Sequence, residues 1–129
     1  MAVVQSGLPW PANRPRTAEV TELNGFFAED DPTLTADMLE IYFGSTRSGS
    51  EDVWMSTRAD VGDPWDTPVR VDSLSSGATD TLVEVSGDGL FVLVASDRAA
   101  AFDQDVYYSQ RADREQPWPA PQPLTGAAN

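Results

Sequence analysis

Chemistry in this chain has to be done with carboxylates, arginines, hydroxyls and aromatic rings. Its 129 residues hold 21 Asp and Glu and eight basic residues, but no His and no Cys. Without imidazole or thiolate there is no structural zinc site, no cysteine nucleophile and no Ser–His–Asp triad. No G-x-S-x-G, P-loop or dinucleotide fingerprint occurs. Acidic groups gather at Glu29-Asp30-Asp31, at Glu51-Asp52 and at Asp103-Gln104-Asp105. Loops rich in carboxylate oxygen suit Ca²⁺. None here has the EF-hand spacing, so a solvated acidic face is the preferred reading. Paired carboxylates also cleave glycosidic bonds, but linear spacing defines no such pair. The sequence therefore assigns no catalytic, cofactor-binding or metal residue.

Two other groupings recur. Arg47 is followed by Asp52, and Arg98 by Asp105. At the facing ends of a hairpin, each Arg is expected to pair with its Asp in the fork geometry that guanidinium allows. Such a pair is either a ligand contact or a latch on the loop. Its repetition favours the latch, since binding sites are seldom duplicated in every unit. Trp10, Trp65 and Trp118 each follow a proline. They suggest a stacking platform for sugars or bases, but the same recurrence favours packing. Trp54 and Tyr107, and likewise Tyr42 and Phe91, are read as packing residues.

What positions these groups is an internal repeat. Asp37 matches Asp88 and Arg47 matches Arg98 at an offset of 51 (88 − 37 and 98 − 47). Asp52 matches Asp105, and Trp65 matches Trp118, at an offset of 53 (105 − 52 and 118 − 65). The second copy thus gains two residues between Arg98 and Asp105, between apolar runs rather than inside one. Within each copy the runs are short and rich in β-formers: Thr33-Leu34-Thr35, Glu40 to Ser45, Asp52 to Thr57 and Val69-Arg70-Val71. Gly, Pro, Asp and Ser punctuate every junction, and no helical stripe exceeds two turns. A period near 50 with four short strands predicts an all-β chain of β-propeller blades, with about eight strands in two antiparallel sheets. The organisation expected is one partial propeller over 1–129. Residues 1–27 form a leading outer-strand segment, 28–72 the first blade repeat and 73–125 the second.

The elements Asp31-Pro32-Thr33-Leu34-Thr35-Ala36-Asp37, Ile41-Tyr42-Phe43, Ser45-Thr46-Arg47, Asp52-Val53-Trp54 and Ser56-Thr57-Arg58 resemble the WD40-like PD40 repeat of TolB-type β-propellers. In the second copy they return as Leu90-Phe91-Val92, Ser96-Asp97-Arg98, Asp105-Val106-Tyr107 and Ser109-Gln110-Arg111. The resemblance covers roughly residues 28 to 124 and blurs at Val83-Glu84-Val85-Ser86-Gly87, the second copy's first strand. It implies a non-catalytic binding or scaffold module that contacts other proteins, in the bacterial periplasm or cell envelope. A lectin-like propeller is the alternative within binding proteins. A glycosidase-like enzyme is less favoured.

The formal net charge of −13 and the pI near 4.1 exclude nucleic acid and anionic lipid as partners, since both need Lys or Arg against phosphate. All eight basic residues are Arg. No apolar run reaches the length of a membrane span, and the first residues lack the charged n-region of a signal peptide. Two blades leave two unlike apolar faces, so either chains assemble, or the sequence is a piece of a larger propeller, or the two sheets pack as a small sandwich; a homo-oligomer is the preferred expectation, a trimer before a dimer. The segment near Thr17 to Thr21 competes with the trailing Trp118 segment to complete a neighbour's blade. Acidic repulsion should weaken the assembly at low salt.

Overall fold

The computed structural model describes residues 19–25 and 27–124, with the backbone alone for Leu82. Trp10 and Thr17-Ala18 lie outside the described residues. Glu19 and Val20 are irregular and 21–23 form a turn, so the described end of the leading segment is not a strand.

The described residues are all-β and contain no helix, hence none long and apolar enough to cross a membrane. Strands β1 (Glu29–Leu34), β2 (Glu40–Ser45), β3 (Asp52–Thr57) and β4 (Val69–Arg70) form sheet I in sequential antiparallel order. Sheet II repeats that order with β5 (Asp80–Val85), β6 (Phe91–Ala100), β7 (Asp103–Gln110) and β8 (Gln122–Pro123). The 51-residue offset carries the start of β1 onto β5 (80 − 29), and the 53-residue offset carries β4 onto β8 (122 − 69).

Local chemistry repeats with the strands. In the β1–β2 turn, Asp37 Oδ1 accepts from Thr35 Oγ1 at 2.7 Å and from the Leu39 amide at 3.0 Å. In the β5–β6 turn, Asp88 Oδ1 accepts from Ser86 Oγ at 2.6 Å and from the Leu90 amide at 3.0 Å. The residue after each Asp sits in the left-handed region, Met38 at φ 62° and Gly89 at φ 75°. That conformation suits the glycine and strains the methionine. The first strands exceed the short runs expected. Both carry an irregularity at the same place, between Asp30 and Thr33 and between Thr81 and Glu84. In β1 it falls at Pro32, which cannot donate to a ladder, and at Asp31, whose φ is 51°. The two extra residues of copy two lengthen the β6–β7 hairpin as far as the Ala100–Asp103 pair, leaving Phe102 98% exposed at its tip.

Alternation along the strands gives each sheet two faces. The front of sheet I presents Glu40, Tyr42, Val53 and Met55; its back presents Ile41, Phe43 and Trp54. The front of sheet I packs on the back of sheet II, burying Tyr42 and Val53 against Val83, Val85, Val92, Val94, Leu74 and Trp118. Five of these side chains have no exposure, and each fully buried aliphatic or aromatic group stabilises the fold by about 1.5–3 kcal/mol. On the back of sheet I, a smaller cluster joins Leu23, Phe43 and Trp65. The register places Leu93, not Phe91, at the position equivalent to Tyr42 (93 − 42 = 51). Phe91 stands instead at the equivalent of Glu40 and stacks on Tyr108 at 5.9 Å.

Candidate functional site

Arg47 and Arg98 do not turn to Asp52 and Asp105. Each reaches the opposite way, to the acid that opens the first strand of its own sheet. Arg47 donates from Nε to Ser45 Oγ at 2.9 Å, and from Nη2 to the Leu23 carbonyl at 2.7 Å and to Glu29 at 3.2 Å. Arg98 donates from Nε to Ser96 Oγ at 2.9 Å, and from Nη2 to the Leu74 carbonyl at 2.8 Å and to Asp80 at 3.0 Å. Every partner in the second set lies 51 residues beyond its counterpart in the first (74 − 23, 80 − 29, 96 − 45). The guanidinium carbons also lie over aromatic rings, Arg47 at 5.0 Å from Trp54 and Arg98 at 4.8 Å from Tyr107.

Asp52 and Asp105, equivalent in sequence, part company in space. Asp52 is buried, accepting from Ser48 Oγ at 2.6 Å and from Arg70 Nε at 3.1 Å. Arg70 is pushed up from its ordinary pKa, first by the hydrogen bond to Asp52. Asp105 is exposed. The position equivalent to Arg70 in copy two is Pro123 (123 − 70 = 53), which brings no charge to bury an acid against.

Trp65 and Trp118 are the floors of a second duplicated device. Arg58 lies 4.1 Å over Trp65 and donates to the Met38 and Asp63 carbonyls. Arg111 lies 4.1 Å over Trp118 and donates to the Gly89 and Gln116 carbonyls. Both indoles are buried, so neither offers a free ring face to a sugar or a base.

Arg111 reaches further. Its Nη2 meets Glu40 Oε1 at 2.9 Å across the joint between the sheets. Tyr42 donates its hydroxyl to the same Glu40 oxygen at 2.9 Å and accepts from Trp118 Nε1 at 3.2 Å. Burial, with the Glu40 charge, pushes the Tyr42 phenol up to about 12. Arg114 adds bonds to Asp37 at 2.6 Å and Glu40 at 3.3 Å, and holds Asp37 well below the usual carboxylate range.

One group of carboxylates breaks the repeat. Asp30, Asp31 and Glu51 bring carboxylate oxygens within 4.8 Å of one another beside the joint. A Cβ on Gly44 would lie 2.6 Å from Asp30 Oδ1 and 2.7 Å from Glu51 Oε2, so any other residue there would make these two carboxylates move. The equivalents of Asp30, Gly44 and Glu51 in copy two are Thr81, Ala95 and Gln104, at offsets of 51, 51 and 53. There, Thr81 Oγ1 simply donates to Gln104 at 3.1 Å. Hard oxygen donors at this spacing are those a divalent cation takes, and a proton shared between two of the acids meets the same electrostatic need. Burial, then Asp30, Asp31 and Asp80, push Glu51 up from 4.5 to about 7. The folded state therefore holds an extra proton between those values. That contribution to stability is complete below about 4.5 and lost as pH rises through about 7. Glu51→Gln is expected to raise the melting temperature at pH 8 and to flatten its fall across that window. Melting curves of both proteins against pH check this; parallel curves would show that Glu51 does not carry the proton.

No protein-family model matches the chain, and no curated protein sequence matches it.

Proposed function

We propose that the chain is a non-catalytic binding and scaffold module, two blades of a TolB-type β-propeller that contact other protein through their sheet faces. The observation that carries this reading is the duplication of the arginine devices. Arg47 and Arg98 each anchor the first strand and the preceding turn of their own sheet, and Arg58 and Arg111 each cap their own tryptophan. Groups that repeat with the same partners in both sheets serve the fold, and the broad sheet faces remain for recognition. The burial of Trp65 and Trp118 weighs against the lectin-like alternative. A glycan array and a panel of chromogenic glycosides test the reading together, with no binding and no turnover expected. Sugar binding would replace it with a lectin. Turnover abolished by Asp105→Asn, a change at an exposed acid, would replace it with an enzyme.

A further inference from the structure

The joint between the sheets has two sides, and among the described residues each side has a counterpart that no other sheet covers. Inside, the front of sheet I meets the back of sheet II. Among the described residues, the front of sheet II and the back of sheet I meet no sheet. The front of sheet II carries an apolar patch, with Leu93 and Tyr108 half-buried and Val106 and Leu124 45% and 49% exposed, flanked by the exposed Glu84, Gln110 and Gln122.

Differences between the copies match one another across this second joint. Inside, Glu40 on the front of sheet I is paired with Arg114 of sheet II at 3.3 Å. On sheet II, Phe91 replaces Glu40 (91 − 40 = 51), and on sheet I, Val61 replaces Arg114 (114 − 61 = 53). Both halves of an ion pair have become apolar, on the two faces that would meet. Leu93 replaces Tyr42, whose hydroxyl is needed only where Glu40 is present to receive it. Arg58, the counterpart of Arg111, has a negative neighbour in its own chain, Glu22, whose carboxylate accepts the Trp65 amide at 3.0 Å.

We propose that the front of sheet II is covered by the back of sheet I from a second copy of this chain, head to tail, with Phe91 and Leu93 on the side of Val61. This names the partner for the blade reading above and rests on it. A head-to-tail contact between unlike faces propagates, and closes into a ring when its rotation allows. Three chains and six blades is the expected ring. The net charge of −13 per chain opposes assembly, so added salt strengthens it.

Sedimentation equilibrium of the full chain over concentration and salt tests the proposal. The expected result is a mass of three chains that dissociates on dilution at low salt. Val61 is 46% exposed in a loop, so Val61→Arg leaves the fold intact and is expected to weaken assembly about tenfold or more. Phe91→Glu should do the same. The double variant, which rebuilds the Arg114–Glu40 pair between chains, should recover most of the loss. A monomer at every concentration and salt would overturn the proposal, as would assembly indifferent to Val61→Arg. Either result leaves the binding-module reading standing, because that reading falls to sugar binding or turnover instead.

Discussion

Arg111→Ala is expected to lower the unfolding free energy by about 3 kcal/mol, more than its counterpart change Arg58→Ala. The Arg111 side chain is 5% exposed and its partner Glu40 10%. Removing the guanidinium leaves Glu40 buried with only Arg114 and the Tyr42 hydroxyl to support it. It also uncovers the Trp118 ring, over which the guanidinium lies at 4.1 Å. Arg58 makes the same stack and the same kind of carbonyl contacts, but no ion pair across the joint. About 1 kcal/mol is expected from its loss. The internal repeat thus supplies its own control, and the difference between the two variants isolates the contribution of the inter-sheet pair. Urea denaturation measures both. Equal losses would mean that Arg111 stabilises its own sheet and contributes nothing to the joint.

The repeat and the all-β character of the described residues were legible because hydrophobic alternation and turn chemistry are local. Asp37 and Asp88 stood out as a matched pair, and the structure gives each the same two hydrogen bonds in the same turn. The two extra residues of copy two were also visible, although they extend a hairpin where a loop was expected. The arginine partners were not legible in the same way. Asp52 and Asp105 were the repeated acids just downstream of Arg47 and Arg98, and position across a hairpin favoured them. The true partners, Glu29 and Asp80, lie on the strand to the other side, 18 residues away (47 − 29 and 98 − 80). Their offset of 51 was readable, but the change from Glu to Asp concealed the match, as did the more conspicuous acids beside Glu29. The Asp30–Asp31–Glu51 group could be seen as acidic runs. That two runs converge on Gly44 depends on the β1–β2 register, which is a matter of three dimensions. Face-to-face complementarity, such as Phe91 with Val61, becomes meaningful only once the register says which residues share a face.

Arg98→Ala is expected to cost about 3 kcal/mol, and Arg47→Ala about half of that. The two arginines make matching bonds, so the difference lies in the acids they leave behind. The Asp80 side chain has no exposure, whereas that of Glu29 is 13% exposed. Without Arg98, Asp80 retains the Ser76 amide at 2.6 Å and the hydroxyls of Ser76 and Ser96 at 2.8 and 2.6 Å, which are donors but carry no charge. Those bonds keep the cost below that of a wholly abandoned ion. Glu29 is the longer side chain and, being closer to solvent, can turn toward water when Arg47 is removed. Asp80→Asn in the Arg98→Ala background removes the stranded charge and is expected to restore part of the loss, giving a coupling between the two sites of about 1 kcal/mol or more. Denaturant titrations of the two singles, the Asp80→Asn single and the double variant measure it. If both arginine variants melt with the wild type while a bound partner is lost, the two arginines are contacts for that partner and not anchors of their sheets.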